Sequence, residues 1–153
     1  DVLGLRIPQQ AEALRLRNVR AADDPYLRLG DLPAPMDAES LRAQTARTLH
    51  AQACVFGGGH ALRTVAVAPG ANGEGALAAA QAGADAYITG EMRHHELIAA
   101  CAAGLTVVTS GHFATEAPGV ALLYRRFLND FPANAGTPCA FLSALAPYAG
   151  ALV

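Results

Sequence analysis

Hydrophobic and polar positions along this chain fall into two regimes. Over residues 1–37 the pattern is weak, and this stretch reads as an irregular lead-in. Within it, Asp1-Val2-Leu3-Gly4-Leu5 resembles the end of a helix, and loose alternation over residues 13–19 predicts a strand. Asp23-Asp24-Pro25 and Gly30-Asp31-Leu32-Pro33-Ala34-Pro35 are rich in turn formers and predict loop. From Asp37 the pattern sharpens. Its carboxylate is placed to cap a helix over residues 38 to about 50, with Leu41, Ala46 and Leu49 on the inner face. Cys54-Val55-Phe56 is a short strand closed by Gly57-Gly58-Gly59.

Apolar runs and alanine-rich stretches then alternate. Residues 63–68 predict a strand, 69–75 a glycine-rich turn, and the segment to about 82 a helix ended by Gly83. Residues 84–89 predict a strand, 91–103 a helix closed by Gly104, and 105–109 a strand. A last helix is expected from near Thr115 to about residue 128. Strands alternating with helices of this length imply βαβ units. The expectation is a single α/β domain over residues 1–153, with a mostly parallel sheet and flanking helices. Its βα core covers residues 38–129, and 130–153 form a proline-containing tail with one short strand at 139–142.

Composition narrows the class. At 52% hydrophobic and 16% charged residues, the chain can bury a core and is not of the disordered type. Much of the apolar share is alanine, which favours helices packed closely on a sheet. The net charge is −2 and there is no basic block, so nucleic-acid binding has no electrostatic support. No apolar run has the length of a membrane span. Cys54, Cys101 and Cys139 are widely spaced and odd in number, as expected of reduced, mostly buried thiols in a cytoplasmic protein.

The candidate chemistry sits at strand ends. Gly111-His112-Phe113-Ala114-Thr115-Glu116 follows an apolar run and sets an imidazole and a carboxylate at i and i+4. On a helix these share a face and are able to hold one divalent metal. The plainer alternative is a turn histidine and a carboxylate favoured by the helix dipole. Thr89-Gly90-Glu91-Met92-Arg93-His94-His95 follows another apolar run, with Glu91 and His95 again at i and i+4. Here too exposed polar positions in a first helical turn are an adequate explanation. In an open α/β sheet, Asn72, Glu91, His94, His95, His112 and Glu116 all follow the carboxyl end of a strand, where ligands gather. Pro69-Gly70-Ala71-Asn72-Gly73-Glu74-Gly75 matches neither a P-loop nor a full dinucleotide fingerprint. His50 and His60 read as loop or helix-end residues.

Residues 62–128 resemble the Nif-three-like family, also called YbgI-type or GTP cyclohydrolase I type 2 homologs. The resemblance is carried by Val65-Ala66-Val67-Ala68-Pro69-Gly70, by Gly83-Ala84-Asp85-Ala86-Tyr87-Ile88-Thr89-Gly90-Glu91, by His95, and by the His112–Glu116 motif. It implies a dinuclear centre of zinc, iron or manganese in a ring-shaped homohexamer. The family's metal-ligand histidine and glutamate carry over to His112 and Glu116. Its other ligands, a His-His pair and an aspartate, belong to a first half that this chain lacks, so it is similar to the later portion of a family protomer. Glu91 and His95 lie beside the site in that pattern, as general base or water-orienting groups. The implied activity is metal-dependent hydrolysis of a small, nucleotide-like molecule. The alternative is a non-enzymatic, oligomeric metal-handling or interaction module. An open coordination position would distinguish the first from the second.

Overall fold

The computed structural model describes residues 11–130. Six strands form one sheet: β1 (Arg17–Ala21), β2 (Arg28–Met36), β3 (Cys54–Phe56), β4 (Leu62–Ala71), β5 (Ala86–Glu91) and β6 (Thr106–Thr109). Four helices accompany them: α1 (Ala38–Leu49), α2 (Gly75–Gln81), α3 (His94–Ala102) and α4 (His112–Asp130). The spatial order is β1-β2-β4-β5-β6-β3. The central strands β4, β5 and β6 are parallel, as the βαβ rhythm implies. The flanking pairs β1–β2, β2–β4 and β3–β6 are antiparallel, so the sheet is mixed rather than mostly parallel.

Each parallel strand feeds both faces of the sheet. Val65, Val67, Ile88 and Val108 point to one side and pack with Leu41 of α1, Leu14 and Leu62. Ala66, Ala68, Tyr87 and Val107 point to the other and meet Ala76 and Ala79 of α2 and Ala100 of α3. Alternation of side chains across a strand gives two cores from one run of apolar residues. Alanines on both partners of the second core let α2 and α3 sit close to the sheet, as the composition suggests. Complete burial of a side chain the size of Ile88 contributes roughly 1.5–3 kcal/mol.

Several boundaries depart from the sequence expectation. The lead-in is more regular than its pattern implies. Residues 11–13 are helical, the first strand begins only at Arg17, and the segment expected as loop around Gly30 is the nine-residue strand β2. Pro33 and Pro35 are tolerated because the β2–β4 ladder is irregular between Asp31 and Met36, where both prolines are exposed. The β5 strand continues through Glu91, so the following helix starts at His94 and not at Glu91. Its N-terminus is closed by Glu96, whose carboxylate accepts the Arg93 amide at 2.8 Å. Asp37 caps α1 as expected, accepting the Ser40 amide at 2.7 Å, and His50 ends that helix in the left-handed region. Cys54 is exposed on the edge strand and so departs from the buried-thiol expectation, whereas Cys101 is half-buried. Cys139, the expected strand at 139–142 and the helix end at residues 1–5 lie outside the described residues. Among the described residues, no helix is long and apolar enough to cross a membrane.

Candidate metal centre

The site grows out of the carboxyl ends of β4, β5 and β6. The β5–β6 ladder continues past the last strand residue, with the Ser110 amide donating to Thr89 O at 3.1 Å and the Gly111 amide to Gly90 O at 2.9 Å. Gly111 then takes φ +82°, which a side chain would resist, and the chain turns directly into α4. His112 is therefore the first residue of that helix and stands over the end of β5, where Glu91 closes the strand.

His112 Nδ1 lies 2.8 Å from Glu91 Oε1. A carboxylate only accepts, so this contact places the ring proton on Nδ1. It leaves Nε2 facing Glu116 Oε1, 3.6 Å away and one helical turn on. The helical start at His112, three residues earlier than expected at Thr115, is what brings the i,i+4 pair onto one face. The hydrogen bond to Glu91 raises the His112 pKa, burial opposes this, and the charges of Glu116 and Glu91 raise it further. An imidazole whose second nitrogen is held by a carboxylate is the usual form of a metal-binding histidine.

Two glycines make room for this pair. In the parallel β4–β5 ladder Ala68 faces Thr89 and Ala71 faces Glu91, so Pro69 and Gly70 together oppose Gly90. This bulge turns Gly70, at φ +74°, toward the helix. A Cβ at Gly70 would lie 2.9 Å from Glu116 Oε1 and 3.2 Å from His112 Nε2, in the space the two donor atoms face. A Cβ at Gly90 would come within 2.6 Å of Gly70 O and 2.8 Å of the His112 Cα. Thr115, fully buried, accepts the Gly70 amide at 3.0 Å. Thr89 Oγ1 donates to the Gly70 carbonyl at 3.1 Å.

The donor pair suits a divalent ion. Two ligands on a tetrahedral metal at about 2.0–2.2 Å lie roughly 3.4 Å apart, close to the 3.6 Å between Nε2 and Oε1. Among the described residues, however, no three His, Cys, Asp or Glu side chains gather into a group able to hold a metal. Glu91 is near but engages the opposite ring nitrogen, which leaves two donors facing a common point.

The other sequence candidates are placed differently. His94 and His95 stand exposed in the first turn of α3, and no hydrogen bond or ion pair joins His95 to Glu91 or His112. The Glu91–His95 helical pair does not form, because Glu91 belongs to the strand. Asn72 is structural: its Oδ1 accepts the Gly75 amide at 2.9 Å and its carbonyl accepts the buried Tyr87 hydroxyl. Beside Glu91 a cavity of about 370 Å³ opens between the β4–α2 and β5–α3 turns, bordered by Asn72, Glu74, Arg93 and Glu96. Sequence alone does not single out Gly70, Gly90 and Thr115 as site residues. Their motifs are visible, but close backbone approach is a property of the folded strands.

An α/β protein with a histidine–glutamate pair at the carboxyl edge of its parallel strands is the class these features define. Residues 8–146 match the Duf34/NIF3 (NGG1p interacting factor 3) family, and the chain belongs to it. It is 29% identical over 121 residues to the GTP cyclohydrolase 1 type 2 homolog of Haemophilus influenzae, covering 75% of this chain and 48% of that protein. The chain thus spans about half the length of this relative. Among solved structures it is similar to protein ybgI, with a TM-score of 0.75 and 28% identity over 82% of this chain and 51% of that one. It is also similar to TTHA1606 from Thermus thermophilus, with a TM-score of 0.70 and 27% identity over 87% and 52% of the two chains.

Proposed function

We propose that this chain carries part of a divalent-metal site in which His112 Nε2 and Glu116 Oε1 are ligands and Glu91 orients the imidazole. The observation that supports it most is the pair of contacts on one ring: Nδ1 to Glu91 at 2.8 Å and Nε2 to Glu116 at 3.6 Å. Donors beyond these two would come from outside the described residues or from a neighbouring protomer. A zinc, iron or manganese ion held there would lower the pKa of a bound water to about 7 and supply hydroxide for hydrolysis.

In this reading the protein's own residues do three things. Glu91 keeps the proton on Nδ1, so Nε2 remains a lone-pair donor. Gly70 keeps the space before both donors clear of side-chain atoms. The cavity beside Glu91 receives a small molecule, and its volume of about 370 Å³ falls within the range of ordinary ligand pockets. The identity of that molecule does not follow from the fold.

Isothermal titration of the protein with zinc tests the reading. Saturable binding that is lost in His112→Ala supports it. Equal heats from wild type and His112→Ala would remove it.

A further inference from the structure

We propose that Thr115 is a positioning residue that holds Gly70, and with it the bulged end of β4, against the His112–Glu116 pair. The Gly70 peptide is held at both ends by threonine hydroxyls. Thr115 Oγ1 accepts its amide at 3.0 Å, and Thr89 Oγ1 donates to its carbonyl at 3.1 Å. Thr115 has one hydroxyl proton, and this turns back to the first turn of its own helix, 2.9 Å from His112 O and 3.1 Å from Gly111 O. A single buried hydroxyl therefore ties the β4 bulge to the backbone of the residue that bears the imidazole.

The arrangement is local to the site. Thr115 lies immediately before Glu116 and three residues after His112, so its side chain faces the sheet while theirs flank Gly70. The Gly70 amide falls in the irregular stretch of the β4–β5 ladder, between the paired residues Ala68 and Ala71, and is accepted there by Thr115 Oγ1. Without the hydroxyl, a buried N–H is left unpaired and the bulge is free to move toward or away from the two donor atoms. Gly90 closes the other side, with its missing Cβ 2.8 Å from Thr115 Oγ1, so the helix has little room to follow.

The test compares Thr115→Val, which keeps the shape and removes the hydroxyl, with Thr115→Ser, which keeps the hydroxyl. Two quantities are read: hydrogen exchange of the Gly70 amide and zinc affinity. The zinc arm alone rests on the metal reading above. In Thr115→Val, exchange should quicken and zinc affinity should fall about tenfold or more, as for other residues that orient ligands. Thr115→Ser should restore both. A folded Thr115→Val with wild-type zinc affinity, or a failure of serine to rescue, would overturn the proposal. If wild type takes up no zinc, the metal reading fails by itself. The positioning role is then decided by the nuclear Overhauser contact between the His112 ring and Gly70: lost in Thr115→Val it stands, retained it falls. If the valine variant does not fold, Thr115→Ala frees the same amide with less crowding at Gly90 and is read in the same way.

Discussion

Glu91, the last residue of a central strand, and His112, the first residue of the final helix, meet through a 2.8 Å contact between Oε1 and Nδ1. Twenty-one residues apart in sequence, they are joined because β5 and β6 run parallel and end at the same edge. This contact decides which nitrogen of His112 is available.

Replacing Glu91 by glutamine keeps the shape and removes the charge. The His112 pKa should fall toward its ordinary value, because the Glu91 hydrogen bond is the largest cause of its elevation. Titration of the His112 ring by NMR checks this. Metal affinity should fall about tenfold or more with the loss of the orienting carboxylate.

The same shift fixes the sign of a pH effect in the metal-free protein. The folded state holds the His112 proton more tightly than the unfolded chain, so protonation favours folding. The stabilisation is complete below the unfolded value of 6.5 and is lost as pH rises through the elevated folded value. Half of the His112 side chain is exposed, so solvent screening keeps the effect small. Denaturation of wild type and His112→Ala across that range should show their stability difference changing against wild type as pH rises. Metal uptake should have the opposite trend, weakening as acid protonates Nε2.

Gly70→Ala places a methyl group in front of both donor atoms and puts a side chain at φ +74°. The left-handed backbone should cost about 1–2 kcal/mol of stability. Metal affinity should drop by more than the stability change explains, since Glu116 and the His112 ring must part to admit the methyl. Parallel denaturation and zinc titration separate the two effects.

Gly90→Ala differs because two of its three nearest neighbours are backbone atoms and the third is the buried Thr115 hydroxyl. A Cβ there meets Gly70 O at 2.6 Å and the His112 Cα at 2.8 Å, neither of which is the end of a flexible side chain. Overpacking of about 1–3 kcal/mol is expected, read as a lower urea midpoint. The junction of β4, β5 and α4 should loosen together.

Much of this architecture was legible in the chain. The cap at Asp37, the glycines ending α2 and α3, and the three apolar runs of the parallel strands all mark real boundaries within a few residues. The strand β2 was hidden because its prolines and glycine look like loop, and they are accommodated only by an irregular ladder against β4. The His112–Glu116 pairing was readable from its spacing, since i and i+4 coincide on any helix. The role of Glu91 was not: read as a helical residue it faces His95, whereas as a strand residue it faces His112. Which partner it takes depends on where β5 stops, and no local pattern marks that end.

The His112–Glu116 metal site is put to the test by the metal content of the protein purified without a histidine tag, measured by elemental mass spectrometry beside the His112→Ala/Glu116→Ala variant. A divalent metal should copurify with wild type and be lost in the double variant while the fold remains. Metal absent from both proteins, or present equally in both, would contradict it.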